Sequence, residues 1–279
     1  MSVPPPPSPP PSSGGTAPTT ERADQVAVRL PARAKLTLSL RVTGVRPDGY
    51  HLIDAEMVTL DLQDDVDLLP VGTPVGATRP AADQGNGDGS VGWVPDGGRD
   101  LVAAALALSG RRAQVRITKR IPVGGGLGGG SADAAAVLRW AGWRDLQAAA
   151  ALGADVPFCL VGGRARVRGI GEVVESLPFV PRTLTLQPVP FGCSTPEVYA
   201  AWDALGGPIG ARGNDLEPAA LAVEPRLAAW RDALGDASGE TPRLAGSGST
   251  WFVPGAHPGE GRIVVRTVPA DAPGDGSGR

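Results

Sequence analysis

Six glycines fall within the seven positions Gly124 to Gly130, in the stretch PVGGGLGGGSADAAAVL. Upstream, AQVRITKRI (113–121) alternates apolar and polar residues as a strand does. Downstream, Ser131 reads as an N-cap, and Ala134, Val137, Leu138 and Ala141 recur at helical spacing. The glycines therefore make a strand-to-helix loop. Such a loop gathers several backbone N–H groups and the positive end of a helix dipole with no side chains in the way, which suits a phosphate. A purely conformational role explains the run less well, because turns rarely need more than two glycines and each one costs backbone entropy.

Two well-known nucleotide loops do not fit. Gly124 to Gly129 satisfies G-x-G-x-x-G, but that dinucleotide fingerprint belongs to the first strand of a βαβ unit, and here roughly a hundred residues precede it, with Pro122 at its entry. A dinucleotide-dependent oxidoreductase would also need an acidic residue ending a second strand about 20 residues on. A P-loop needs Lys-Ser or Lys-Thr after the glycines, and neither is present.

Charge and addressing narrow the function classes. The 279 residues suffice for one large or two medium domains, and the 26 basic and 29 acidic residues are interspersed, with a formal net charge of -3. No polyanion-binding surface follows, so no nucleic-acid partner is expected. Cys159 and Cys193 are the only cysteines and form no C-x-x-C pair, which predicts neither a disulfide framework nor a zinc site, and no metal ligands are assigned. The start, MSVPPPPSPPPSSGGTAPTT, has no basic-then-apolar signal, and no later segment offers the ~20 apolar residues of a membrane span. A cytoplasmic protein without a membrane partner, a monomer or weak homodimer, is the expectation.

Residues 1–22 read as a disordered Pro-rich tail. AKLTLSLRV (34–42) predicts a half-buried strand, with Leu36, Leu38, Leu40 and Val42 inward and Lys35, Thr37, Ser39 and Arg41 on a polar face. Pro70 to Gly98 reads as a variable loop with at most a short hairpin; Asp100 caps an apolar helix, LVAAALALS, closed by Gly110. GRARVRGIGEVVESL predicts a hairpin turning at Gly169 to Gly171, and Thr195-Pro196 opens a helix that Gly206-Gly207 ends. The last twenty residues, rich in Gly, Pro and Asp, are expected to fray. Lys35 and Lys119 are the only lysines, beside 24 arginines, so each surviving lysine hints at a specific need.

PVGGGLGGGSADAAAVL resembles the phosphate loop of the GHMP kinases, a superfamily of small-molecule kinases. RAKLTLSLRVTGVRPDGYHLID, LGADVPFCL, RGNDLEP and RLAGSGSTWFV resemble, in order, further motifs of those members that act on 4-diphosphocytidyl-2-C-methyl-D-erythritol, in the non-mevalonate route to isoprenoid precursors. The resemblance spans about residues 25 to 253. It implies a two-domain α+β GHMP kinase fold, with a ribosomal protein S5 domain 2-like N-terminal domain over 23–181 and a ferredoxin-like C-terminal domain over 182–279. It also implies phosphorylation of that substrate's 2-hydroxyl, with ATP and Mg²⁺ as cofactors and a small molecule bearing a cytidine diphosphate group as partner.

By the same resemblance Asp155 is the general base and Lys35 its charge partner. Pro122, Gly124, Gly125, Gly126, Leu127, Gly128, Gly129, Gly130 and Ser131 hold ATP. Tyr50, His51, Thr37, Tyr199, Gly246, Ser247 and Gly248 meet the substrate, His51 by hydrogen-bonding the cytosine and the tyrosines by stacking. Thr37 stands where the family usually has Asn, and the segment RWAGWRDLQAAAA (139–151) before LGADVP is short for the family. Other acceptors within the GHMP kinases, or a nucleotide-binding homologue without turnover, are the alternatives.

Overall fold

The computed structural model describes residues 26–72, 91–93 and 101–271. The Pro-rich tail, Asp100 and most of the segment after Pro70 lie outside the described residues.

Two long strands frame the molecule. β1 (Val28–Val45) pairs antiparallel with β2 (His51–Leu69) across the turn RPDG, where Gly49 takes φ +86° and donates its N–H to the Arg46 carbonyl. The other strands assemble on β2: β5 (Arg164–Gly169) on its first half, β4 (Gln114–Thr118) on its last residues, and β10 (Ile263–Val268) at Thr59 and Leu60. β3 (Val91–Trp93) extends β4 and β6 (Val173–Ser176) extends β5, while from β10 the sheet runs through β7 (Thr183–Gln187) and β9 (Trp251–Pro254) to β8 (Arg243–Leu244). Each ladder is antiparallel, in a mixed α+β fold.

Helix α1 (Leu101–Ser109) matches LVAAALALS and closes at Gly110, φ +67°. α2 (Gly129–Trp140) follows the glycine loop and packs on α1, on β1 and on α4 (Val156–Val161). Every residue from Ala132 to Leu138 in it is buried, which its alanines permit by letting neighbours approach from all sides. The short segment before LGADVP still builds α3 (Leu146–Leu152), capped by Asp145, whose carboxylate accepts from the Ala148 N–H at 3.0 Å. α5 (Thr195–Ala204), α6 (Glu217–Val223) and α7 (Leu227–Ser238) complete the chain, and α5 ends at Gly206 and Gly207, both at positive φ. Among the described residues no helix is long and apolar enough to cross a membrane.

Three expectations need correction. β1 is buried on both faces from Ala34 to Leu38, with Lys35 5% exposed, because loops distant in sequence fold over its polar side. The chain end does not fray through 263–268: β10 lies between β2 and β7, with Val265 and Thr267 inward and Val264 and Arg266 outward, a period-2 signal masked by the surrounding Gly, Pro and Asp. Ser131 is not the N-cap of α2. The cap is Gly128, at φ 69°, ψ 25°, with no side-chain acceptor for the first-turn N–H groups.

Candidate active site

Lys35 and Asp155 meet. β1 carries Lys35 inward, the turn before α4 presents Asp155, and Nζ stands 3.1 Å from Oδ2. The lysine side chain is 7% exposed and the aspartate 30%, so the pair has one buried and one solvent-reaching member. The ammonium also donates to Thr37 Oγ1 at 3.3 Å, which occupies the hydroxyl of the residue standing in the family's Asn position. Four residues on from Asp155, the Cys159 thiol is pushed up to about 12 by burial and the Asp155 carboxylate, and so stays protonated and inert.

The glycine loop closes over this pair. Leu127 accepts the Lys35 N–H at 3.0 Å, and Gly125 accepts that of Thr250 at 3.2 Å, so the loop is tied both to β1 and to a second loop, residues 245–250 between β8 and β9. Gly124, Gly126 and Gly128 have φ of +74°, +74° and +69°. A Cβ on Gly128 would lie 2.7 Å from Lys35 Cγ, one on Gly125 2.8 Å from Thr250 Oγ1, and one on Gly126 against the Gly248 carbonyl. Packing thus demands more of these glycines than sequence reasoning allowed. The loop also fits a polyphosphate, since the uncapped first turn of the 12-residue α2 leaves N–H groups and dipole directed outward.

Both lysines of the chain adjoin this loop. A Cβ on Gly129 would sit 3.2 Å from Lys119 Nζ. Lys119 bridges Asp64 and Asp133, the latter at 2.8 Å; burial opposes its charge, but the two carboxylates outweigh that and raise its pKa.

A cavity of about 730 Å³ gathers most of the expected substrate residues: Lys35, Thr37, Tyr50, His51, Asp155 and Tyr199, with Gly126, Gly246 and Ser247 at the loops. Pro122, Gly248, Ser131 and the loop glycines other than Gly126 do not line it. Tyr50 is 60% exposed, whereas Tyr199 is packed, its phenol pushed up to about 12 by burial and then by Asp155. The His51 ring lies 4.6 Å from that of Tyr199, and its Nε2 is 2.9 Å from Asp203 Oδ1. Asp203 went unnoticed in the sequence; its only signal is a position one helical turn after Tyr199 on α5.

The RGNDLEP motif acts from behind. Asn214, 3% exposed, donates through Nδ2 to the carbonyls of Leu244 (3.0 Å) and Gly246 (2.7 Å) and so fixes the second loop, where Gly246 is at φ +61°. Ser247 Oγ is 2.8 Å from Thr195 Oγ1, joining that loop to α5. Asn214→Ala leaves two buried carbonyls without donors, and is expected to cost about 1–3 kcal/mol in urea unfolding. An unfolding midpoint equal to wild type would remove the clamp role.

Residues 99–163 match the GHMP kinases N terminal domain. The 4-diphosphocytidyl-2-C-methyl-D-erythritol kinase of Paracoccus denitrificans is 38% identical over 265 residues, covering 88% of this chain and 93% of that protein. The protein of the same name in Cereibacter sphaeroides is 38% identical over 274 residues, covering 87% and 95%. A crystal structure of 4-(cytidine 5'-diphospho)-2C-methyl-D-erythritol kinase superposes with a TM-score of 0.63 at 27% identity, over 86% of this chain and 99% of that one. With identity of this level sustained across nearly the full length of those relatives, the chain belongs to the 4-diphosphocytidyl-2-C-methyl-D-erythritol kinase family of GHMP kinases.

Proposed function

We propose that the chain transfers the γ-phosphoryl group of ATP to the 2-hydroxyl of 4-diphosphocytidyl-2-C-methyl-D-erythritol. The observation that carries this is the Lys35–Asp155 pair, 3.1 Å apart in a cavity that also holds the His51–Tyr199 stack and reaches the glycine loop at Gly126. Asp155 takes the hydroxyl proton as the oxygen attacks phosphorus, and Lys35 offsets charge on the reacting oxygens. The first-turn N–H groups of α2 hold the ATP phosphates. The cavity volume falls in the range usual for small-molecule sites.

Mg²⁺ belongs to the same reading. Among the described residues no group of three or more His, Cys, Asp or Glu forms a metal cage, and Mg²⁺ needs none, being held largely by substrate phosphates and water with one or two carboxylates. With Asp155 paired to Lys35 and assigned the hydroxyl proton, the ATP phosphates and water would supply most of the ion's ligands. When bound, the ion neutralises phosphate charge. The two-domain division near Pro181 is likewise proposed, with the site drawing Lys35 and Asp155 from one side and Tyr199 and Gly246 from the other.

Cytosine selection falls to His51. Asp203 accepts from Nε2, which leaves Nδ1 to meet the exocyclic amino donor of cytosine; uracil offers a carbonyl acceptor there instead. His51→Ala is expected to narrow the KM margin of the cytidine substrate over a uridine analogue by about 1–3 kcal/mol, whereas Tyr50→Ala weakens both alike. Tyr199→Ala does both, because that ring supports His51. An unchanged cytidine/uridine ratio in His51→Ala would reduce the histidine to a turn residue.

The reading is tested by incubating the purified protein with ATP, Mg²⁺ and a panel of alcohols that includes homoserine, mevalonate and the cytidyl substrate. ADP release is expected with the cytidyl substrate alone. Faster release with another member would assign a different acceptor, and release with none would leave a nucleotide-binding homologue.

A further inference from the structure

A second cavity, of about 540 Å³, lies at the C-terminal end of α4 and shares no lining residue with the first. Arg33, Arg139 and Arg144 line it, against one acidic residue, Asp271, and Arg144 donates to the Trp143 carbonyl at 3.3 Å. Asp271 is half-exposed and forms a long ion pair with Arg33, at 3.7 Å. Arg33 Nε is buried without a hydrogen-bond partner. Arg139 donates to the carbonyls of Cys159 and Pro31, which occupy two of its five N–H groups, and the one carboxylate that attracts it, Asp271, is shared with Arg33; burial holds its pKa below the ordinary value.

A cation cluster of this kind is costly to keep without an anion, and an orphaned buried donor calls for an acceptor. Guanidinium groups meet phosphate oxygens in paired hydrogen bonds, and two adjacent ones suit a dianionic head better than a single carboxylate. Apart from Thr59, the rest of the lining is largely apolar, with Trp140, Trp143, Leu146 and Leu160 among it. A bare inorganic ion would leave that wall unused.

We propose that this cavity is a second ligand site, for an organic phosphate whose head engages Arg33 and Arg139 and whose apolar or flat body lies along the two tryptophans. The body could come from an alkyl chain or from a nucleoside, and the experiment separates these. Hexyl phosphate and AMP are titrated calorimetrically into the full chain saturated with ADP, with inorganic phosphate as the head-group control. One equivalent of hexyl phosphate or AMP is expected to bind, more tightly than inorganic phosphate, the better probe identifying the body. Arg33→Gln removes the orphaned donor and Arg144→Glu reverses an exposed charge at the rim; each should weaken binding about tenfold or more. Neither touches the first cavity, so kcat without the probe should stay at the wild-type value. Arg144 is exposed, so its variant tests the site even if Arg33→Gln folds poorly. Absence of binding by both organic probes at millimolar concentration to the ADP-saturated chain, or equal affinity in wild type and Arg144→Glu, would overturn the proposal.

Discussion

Asp155→Asn is expected to lower kcat by about 10²–10⁴-fold with little change in substrate KM, the range general-base removal usually spans. The amide keeps the shape of the carboxylate and can still accept from Lys35 Nζ across the present 3.1 Å, so the cavity wall stays in place. What it loses is the ability to take a proton and to balance a lysine only 7% exposed. Breaking a fully buried ion pair typically costs about 3–5 kcal/mol; Asp155 is 30% exposed, so the cost here falls below that, and urea unfolding measured alongside separates lost stability from lost chemistry. A fall in kcat of less than about tenfold, set below the general-base range, would mean that positioning alone drives transfer.

Gly128→Val should abolish nucleotide binding and turnover together. Gly128 caps α2 in the left-handed region, where a β-branched residue is strained by roughly 1–2 kcal/mol before any contact is counted. Its Cβ would also lie 2.7 Å from Lys35 Cγ, so a side chain there displaces the lysine of the Lys35–Asp155 pair as well as obstructing the proposed phosphate site. The contact with Lys35 couples nucleotide binding to the position of the lysine. Gly130→Ala is the control, since its Cβ meets only Leu101 Cδ1, at 3.7 Å, and should leave stability and Lys35 unaffected. A folded Gly128→Val protein with wild-type ATP affinity by calorimetry would remove phosphate binding from this loop.

Local signals in the chain carried much of this. The alternation of β1 and of β4, the turn at Gly49, the hairpin at Gly169 to Gly171 and the extent of α1 and α5 depend on near neighbours, and all are legible from residues a few positions apart. The contacts that were not legible join distant segments. Lys35 looked solvent-facing because its cover, Leu127 and the Gly246 loop, lies about 90 and 210 residues away. Asp203 meets His51 across 152 residues, and Asn214 clamps Gly246 across 32, so neither role has a local pattern. Ser131 looked like a cap on residue type alone, whereas the left-handed turn at Gly128 starts the helix three residues earlier.

Phosphoryl transfer to one hydroxyl is read by mass and phosphorus-NMR analysis of the product after incubation with ATP, Mg²⁺ and 4-diphosphocytidyl-2-C-methyl-D-erythritol. A single added phosphoryl group on the 2-oxygen, ADP in equal amount, and no product from the 2-deoxy analogue are expected. Phosphorylation of the 2-deoxy analogue, or ATP loss without a phosphorylated acceptor, would contradict the proposed transfer.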